Sequence, residues 1–113
     1  MIRQGDVLVF DAPRAARKGA EVPAEGGRVV LARGELSGHA HALDTAHAQL
    51  FERTDSVREG LGLHAQPGDR VLRVCAQTPL VHEEHGPIPQ ARGRRIVRMQ
   101  REYHPTELRR VKD

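Results

Sequence analysis

Histidine is the residue type that this sequence places where it could do chemistry. Seven histidines occur in 113 residues, and four of them lie in two short clusters, His39-Ala40-His41 and His82-Glu83-Glu84-His85. On an extended strand, residues i and i+2 point to the same face and lie about 7 Å apart. The imidazoles of His39 and His41 can therefore face one ion, and imidazole nitrogen is a common ligand of Zn²⁺.

Together the two clusters predict a divalent-metal site between separate strands. Zinc is the expected ion, with iron, manganese and nickel as alternatives. The predicted metal ligands are His39, His41, His82 and His85. Glu83 and Glu84 would lie beside the ion, where either carboxylate could act as the general base of a hydrolase that uses metal-bound water. The open alternatives are hydrogen-bonded structural histidines and a catalytic histidine without a metal.

Known metal motifs match these clusters only in part, and the cupin motif of jelly-roll barrels is the nearest. Gly34 precedes His39 with one intervening residue fewer than in that motif, and the glutamate expected after His41 is absent from positions 45 and 46. The sequence therefore favours a loosely cupin-like arrangement.

The sequence predicts that short strands between glycine- and proline-rich turns position the histidines. They are predicted at 7–10, 28–33, 39–44, 49–53, 70–75, 79–82 and 94–103. This spacing is typical of one small all-β domain over residues 1–113, an antiparallel sandwich or barrel with jelly-roll topology as an alternative. We expect a long loop at 11–27, an irregular proline-rich segment at 85–89, a buried Cys75 and a short C-terminal helical turn at 106–111.

Charge is distributed unevenly along the chain. The net charge is +3, yet the segment 92–112 holds eight basic and two acidic residues, a net charge of +6. Such a segment can bind nucleic acid or an acidic partner, and the residues predicted to do so are Arg94, Arg95, Arg98 and Arg101. The alternative is that these arginines only solvate the outer face of a strand.

Other features narrow the cellular setting. No apolar run approaches the length of a membrane span, so a membrane partner is not expected. A single cysteine excludes an internal disulfide, and with no signal peptide predicted we expect a cytoplasmic protein. Sheet edges in so short a chain also suggest a homo-oligomer.

Three blocks carry a resemblance to a known family. They are the segments 34–41, 82–88 and 98–105. They resemble a family of small, uncharacterised bacterial and phage-borne proteins with G-E-x-[ST]-G-H-x-H, L-x-H-x-E-H and R-x-R-E-Y-x-P blocks. The resemblance implies that the clustered histidines and Glu84 are family positions, but it implies no activity. The leading hypothesis is a metal-binding β-domain that acts as a binding or assembly module; the alternatives are a metal-dependent hydrolase and a nucleic-acid-binding β-protein.

Overall fold

A computed structural model of the chain describes residues 2–4, 7–33, 40–55, 65–82 and 86–99, and the described residues contain β-strands and no helix. All strand pairs are antiparallel. The strands are β1 Ile2–Gln4, β2 Val7–Asp11, β3 Lys18–Glu21, β4 Arg28–Arg33, β5 Ala40–Asp44, β6 Ala48–Arg53, β7 Arg70–Val74, β8 Thr78–Leu80, β9 Ile88–Gln90 and β10 Gly93–Met99. The predicted all-β antiparallel fold is confirmed.

Six strands form the main sheet, in the order β1-β2-β10-β7-β6-β3. Because β10 lies between β2 and β7, the described C-terminal strand is central, and its register sets Val97 opposite Val9 and Ile96 opposite Val71. Alternation along β10 sends these two residues to opposite faces. Both are buried, so both faces of the main sheet are covered.

Two hairpins, β4–β5 and β8–β9, pack over one face of this sheet. Residues from β4, β5 and β8 share one buried apolar cluster with residues from the main sheet. A pair of backbone hydrogen bonds joins Ala42 in β5 to Val81 just after β8, with N–O distances of 3.0 and 2.9 Å. This bridge continues the β5 register into the second hairpin, and the resulting second layer carries the histidines.

The opposite face of the main sheet has a smaller core. Phe10, Val71 and Ile96 pack there with Ala16 from the segment that follows β2. This segment is held to the sheet by hydrogen bonds from the Ala12 N–H to the Arg94 carbonyl and from the Arg94 guanidinium to the Ala16 carbonyl.

Three local expectations are wrong. The predicted loop at 11–27 contains β3, and the predicted irregular segment at 85–89 overlaps β9. Cys75 is exposed rather than buried, because β7 ends at Val74. The predicted helical turn at 106–111 lies outside the described residues. No helix in the described part of the chain has the length and apolar character needed to cross a membrane.

Candidate metal centre

The structure brings one histidine of each cluster into direct contact. The rings of His41 and His82 stack with their centroids 4.1 Å apart and their planes inclined by 25°. Both side chains are buried, with 6% and 8% of their surfaces exposed. Two imidazoles 41 positions apart in the chain therefore meet inside the second layer.

The strand register explains this contact. The Ala42–Val81 bridge is antiparallel, so the next pair along the same ladder is His41 opposite His82, and the pair on the other side is Leu43 opposite Leu80. Directly opposite residues point to the same face of a sheet and lie about 5 Å apart. Leu43 and Leu80 are among the most deeply buried side chains, so the histidines share the inward face with the apolar core.

A cavity of about 290 Å³ lies between the two layers. Ala32, which is the β4 partner of His41, lines it together with Met99 of the main sheet. Glu52 and Arg70 also line this cavity and form a half-exposed ion pair with an N–O distance of 3.3 Å. The lining includes neither His41 nor His82, so the cavity is not part of the histidine contact.

The described residues do not include the rest of the predicted site, which consists of His39, Glu83, Glu84 and His85. Within the described ranges, no group of three or more histidine, cysteine, aspartate or glutamate side chains could hold a metal ion. Of the other histidines, His47 lies exposed in the turn between β5 and β6.

A buried ion-pair network on the opposite face of the main sheet was not predicted. Asp69 accepts two hydrogen bonds from Arg98, at 2.9 and 2.8 Å, and one from Arg53 at 3.1 Å. Arg98 also lies over the ring of Phe10, 5.0 Å from its centroid. The network stabilises the end of the segment 65–69 against the sheet.

Arg53 extends this network to Asp55 through two further hydrogen bonds of 2.7 and 2.8 Å. These bonds lower the pKa of Asp55 from 3.8 to about 2, against the opposing effect of burial and with the help of the Arg17 backbone N–H. The carboxylate of Asp55 is therefore ionised across the neutral and mildly acidic range.

The network changes the role available to Arg98. Arg98 is among the residues predicted to bind nucleic acid or an acidic partner, but its guanidinium is buried against Asp69, so this prediction is wrong for Arg98. A signal for this existed, since Arg98 is two residues from Ile96 and shares its strand face. Of the other arginines predicted there, Arg94 is exposed and Arg95 is half-buried beside Asp11, whereas Arg101 lies outside the described residues.

These features define a class of protein: an antiparallel, two-layer β-domain with a buried histidine pair between its hairpins. A family model described as a domain of unknown function, DUF8820, matches residues 3–100, and the chain belongs to this family. Neither the curated proteins nor the solved structures contain a match to the chain. The match confirms the prediction that the chain belongs to an uncharacterised family.

Proposed function

We propose that the protein is a metal-binding β-domain in which His41 and His82 hold a divalent ion, with zinc as the first candidate. The observation that carries this proposal is the buried proximity of the two rings across the β5–β8 register. The lone pair of an imidazole nitrogen lies in the ring plane, so ion binding would require the stacked rings to rotate until both lone pairs point to one ion. Neutral imidazole offers one nitrogen lone pair, and a buried position limits competition from water for that nitrogen.

Two histidines are too few for a closed structural site, which takes four protein ligands, or for a catalytic site, which takes three and a water. The proposal assigns the remaining positions to His39 and His85. His39 is two residues before His41, and His85 is three residues after His82. Glu84, beside His85, is the proposed hydrogen-bond partner of a ligand, a role that carboxylates commonly fill next to metal-bound histidines.

The proposed role is that of a binding or assembly module in the cytoplasm, whose metal joins the β4–β5 hairpin to the β8–β9 hairpin. In the described chain, the backbone hydrogen bonds between these hairpins are confined to one bridge at Ala42 and Val81, and side-chain packing supplies the other contacts. A metal bound one residue further along the same ladder would add a second link. Self-association through the outer strands β1 and β3 of the main sheet is part of the same proposal.

The experiment is a metal titration of the full chain after removal of metal with a chelator. Calorimetry with Zn²⁺ should give one site per chain, and Co²⁺ should give an absorption spectrum whose intensity separates four-coordinate from higher coordination. His41→Ala and His82→Ala should each weaken binding by about a hundredfold or more, since loss of a mere hydrogen-bond partner of a ligand already costs about ten- to a hundredfold. His47→Ala is the matched control and should bind as the unmodified protein does.

The interpretation fails if the native chain binds no divalent ion, or if His41→Ala and His47→Ala bind equally well. Thermal unfolding with and without chelator gives a second test, because a ligand that binds only the folded state stabilises it by mass action. Light scattering in the same two conditions shows whether self-association depends on the metal.

A further inference from the structure

A second cavity lies at the end of the main sheet where β7 ends and β10 begins. It has a volume of about 210 Å³ and is lined by Arg73, Val74, Cys75, Arg92, Gly93 and Arg94. The three arginines are exposed. This cavity is at the opposite end of β7 from Arg70, which lines the 290 Å³ cavity between the two layers, so the two cavities are separate.

The register places like charges directly opposite each other here. Arg73 in β7 and Arg94 in β10 are cross-strand partners, and like charges at directly opposite positions destabilise a sheet. Arg92 adds a third positive charge one residue before β10 begins. An anion bound among the three guanidinium groups would remove this repulsion.

Within the described residues, no carboxylate removes the repulsion among these three arginines. The ion pairs there involve other arginines, such as Arg53, Arg70 and Arg95. Arg73 instead donates to the Gln49 side-chain oxygen at 2.9 Å and to the Cys75 sulfur at 3.0 Å, and Arg94 donates to a backbone carbonyl. None of these acceptors is a carboxylate, so they do not neutralise the positive charge of the arginines.

The chemistry of this cavity is set by its three arginines, since the other lining residues are Val74, Cys75 and Gly93. The lining contains no aromatic ring, so it offers nothing on which a nucleobase could stack. The chemistry on offer is charge and guanidinium hydrogen bonding, which suits the oxygens of a phosphate group.

We propose that Arg73, Arg92 and Arg94 form a binding site for a phosphate group. The group can be presented by a small phosphorylated molecule or by a nucleic-acid backbone, and both sources offer the same oxygens. The proposal is independent of the metal, since none of its residues contacts the histidine pair.

The test uses Cys75, the only cysteine in the chain, as a reporter inside the cavity. Alkylation by iodoacetamide, a neutral reagent, is followed by intact mass spectrometry with pyrophosphate, with a short duplex DNA, or with sodium chloride at matched ionic strength. At a ligand concentration ten times its Kd, the alkylation rate should fall by about tenfold, because about one site in ten remains free. Sodium chloride alone should have little effect.

Arg92→Gln is the informative variant, because the Arg92 side chain has no hydrogen bond or ion pair with the described residues and its loss should leave the fold intact. It should weaken ligand binding by about tenfold or more, the loss expected for a charge-assisted hydrogen bond. Arg28→Gln, which removes an exposed arginine from another cavity, is the matched control. Calorimetry with pyrophosphate or the duplex measures Kd independently of the thiol.

Protection by both ligands supports a site that accepts either source, whereas protection by pyrophosphate alone or by the duplex alone supports the site and identifies its source. The proposal is overturned if neither ligand protects Cys75 or binds in calorimetry. It is also overturned if Arg92→Gln and Arg28→Gln bind with the same affinity.

Discussion

The buried carboxylate of Asp69 gives the sharpest test of how this fold is stabilised. Its side chain is 1% exposed, as is that of Arg53, and it accepts hydrogen bonds from Arg53, Arg98 and the Gln66 backbone N–H. Asp69→Ala removes all of these bonds at once. Arg53 keeps its two bonds to Asp55, but Arg98 loses a bidentate carboxylate in a buried place.

The expected cost is about 3–5 kcal/mol, the range for removing one partner of a buried ion pair. A chain of 113 residues has a total stability of about 6–17 kcal/mol at ordinary values per residue. Asp69→Ala should therefore remove a large part of the free energy of unfolding. The double variant Asp69→Ala/Arg98→Met should cost less than the sum of the two single changes, because it removes the Arg98 guanidinium and leaves Arg53 paired with Asp55.

Urea unfolding followed by far-ultraviolet circular dichroism is the suitable assay, since the chain has no tryptophan. Glu52→Ala is the matched control: it breaks the half-exposed ion pair with Arg70 and should cost no more than about 1 kcal/mol. If Asp69→Ala costs no more than Glu52→Ala, or if the double variant shows no coupling, the network does not stabilise the fold in the way argued.

Three further perturbations test other parts of the structure. Because the pKa of Asp55 is lowered to about 2, its contribution of about 2 kcal/mol is complete above pH 3.8 and lost as the pH falls towards 2; Asp55→Asn should abolish this part of the acid unfolding curve. Gly93→Ala should destabilise the protein by about 1–3 kcal/mol, because φ +147° is a backbone conformation that residues with a Cβ rarely adopt, while Gly86→Ala, which meets no atom within 4 Å, should be near neutral by the same urea assay. Leu80→Ala should cost about 2–5 kcal/mol, because it leaves a cavity in the core, and a smaller loss than that of Asp55→Asn at neutral pH would contradict this packing.

The sequence predicted strands well where apolar residues recur. The strand at 28–33 is confirmed with its bounds, and those at 7–10, 49–53 and 70–75 are confirmed to within one residue. It missed β3, whose residues Lys18-Gly19-Ala20-Glu21 lack an apolar face because this strand lies at a sheet edge. The alternation of apolar and polar residues along a strand reflects the burial of one face, so an exposed edge strand shows little of it.

The missed strand β9 has a different reason. Pro89 argues against a strand because it cannot donate to a ladder. In the structure, however, Pro89 lies directly opposite Pro79. Antiparallel partners either exchange both hydrogen bonds or neither, so these two prolines occupy a position where no donor is required. A single sequence does not show which residues will lie opposite each other in a ladder, so the pairing of these two prolines could not be predicted.

The histidine site shows the same division between what spacing can and cannot predict. The sequence indicated that His41 and His82 would meet, but not that the contact would be set by their apolar neighbours. A slip of one residue would turn Leu43 away from Leu80 and put the smaller side chain of Ala42 in its place, so burial of Leu43 opposite Leu80 specifies the register strongly. That register alone carries the two imidazoles inward, with no ion needed to align them.

The alignment of His41 and His82 by the core has a consequence for the metal-free protein. If the core sets the ring contact, removal of a bound ion should lower the melting temperature without unfolding the chain, unlike a zinc finger, which is unfolded without its metal. Leu80→Ala should then weaken Zn²⁺ binding although it removes no ligand, whereas Val81→Ala, at an exposed position on the other face, should not. Calorimetry of both variants measures this difference. Equal Zn²⁺ affinity in the two would show that the ion, rather than the leucine pair, aligns the histidines.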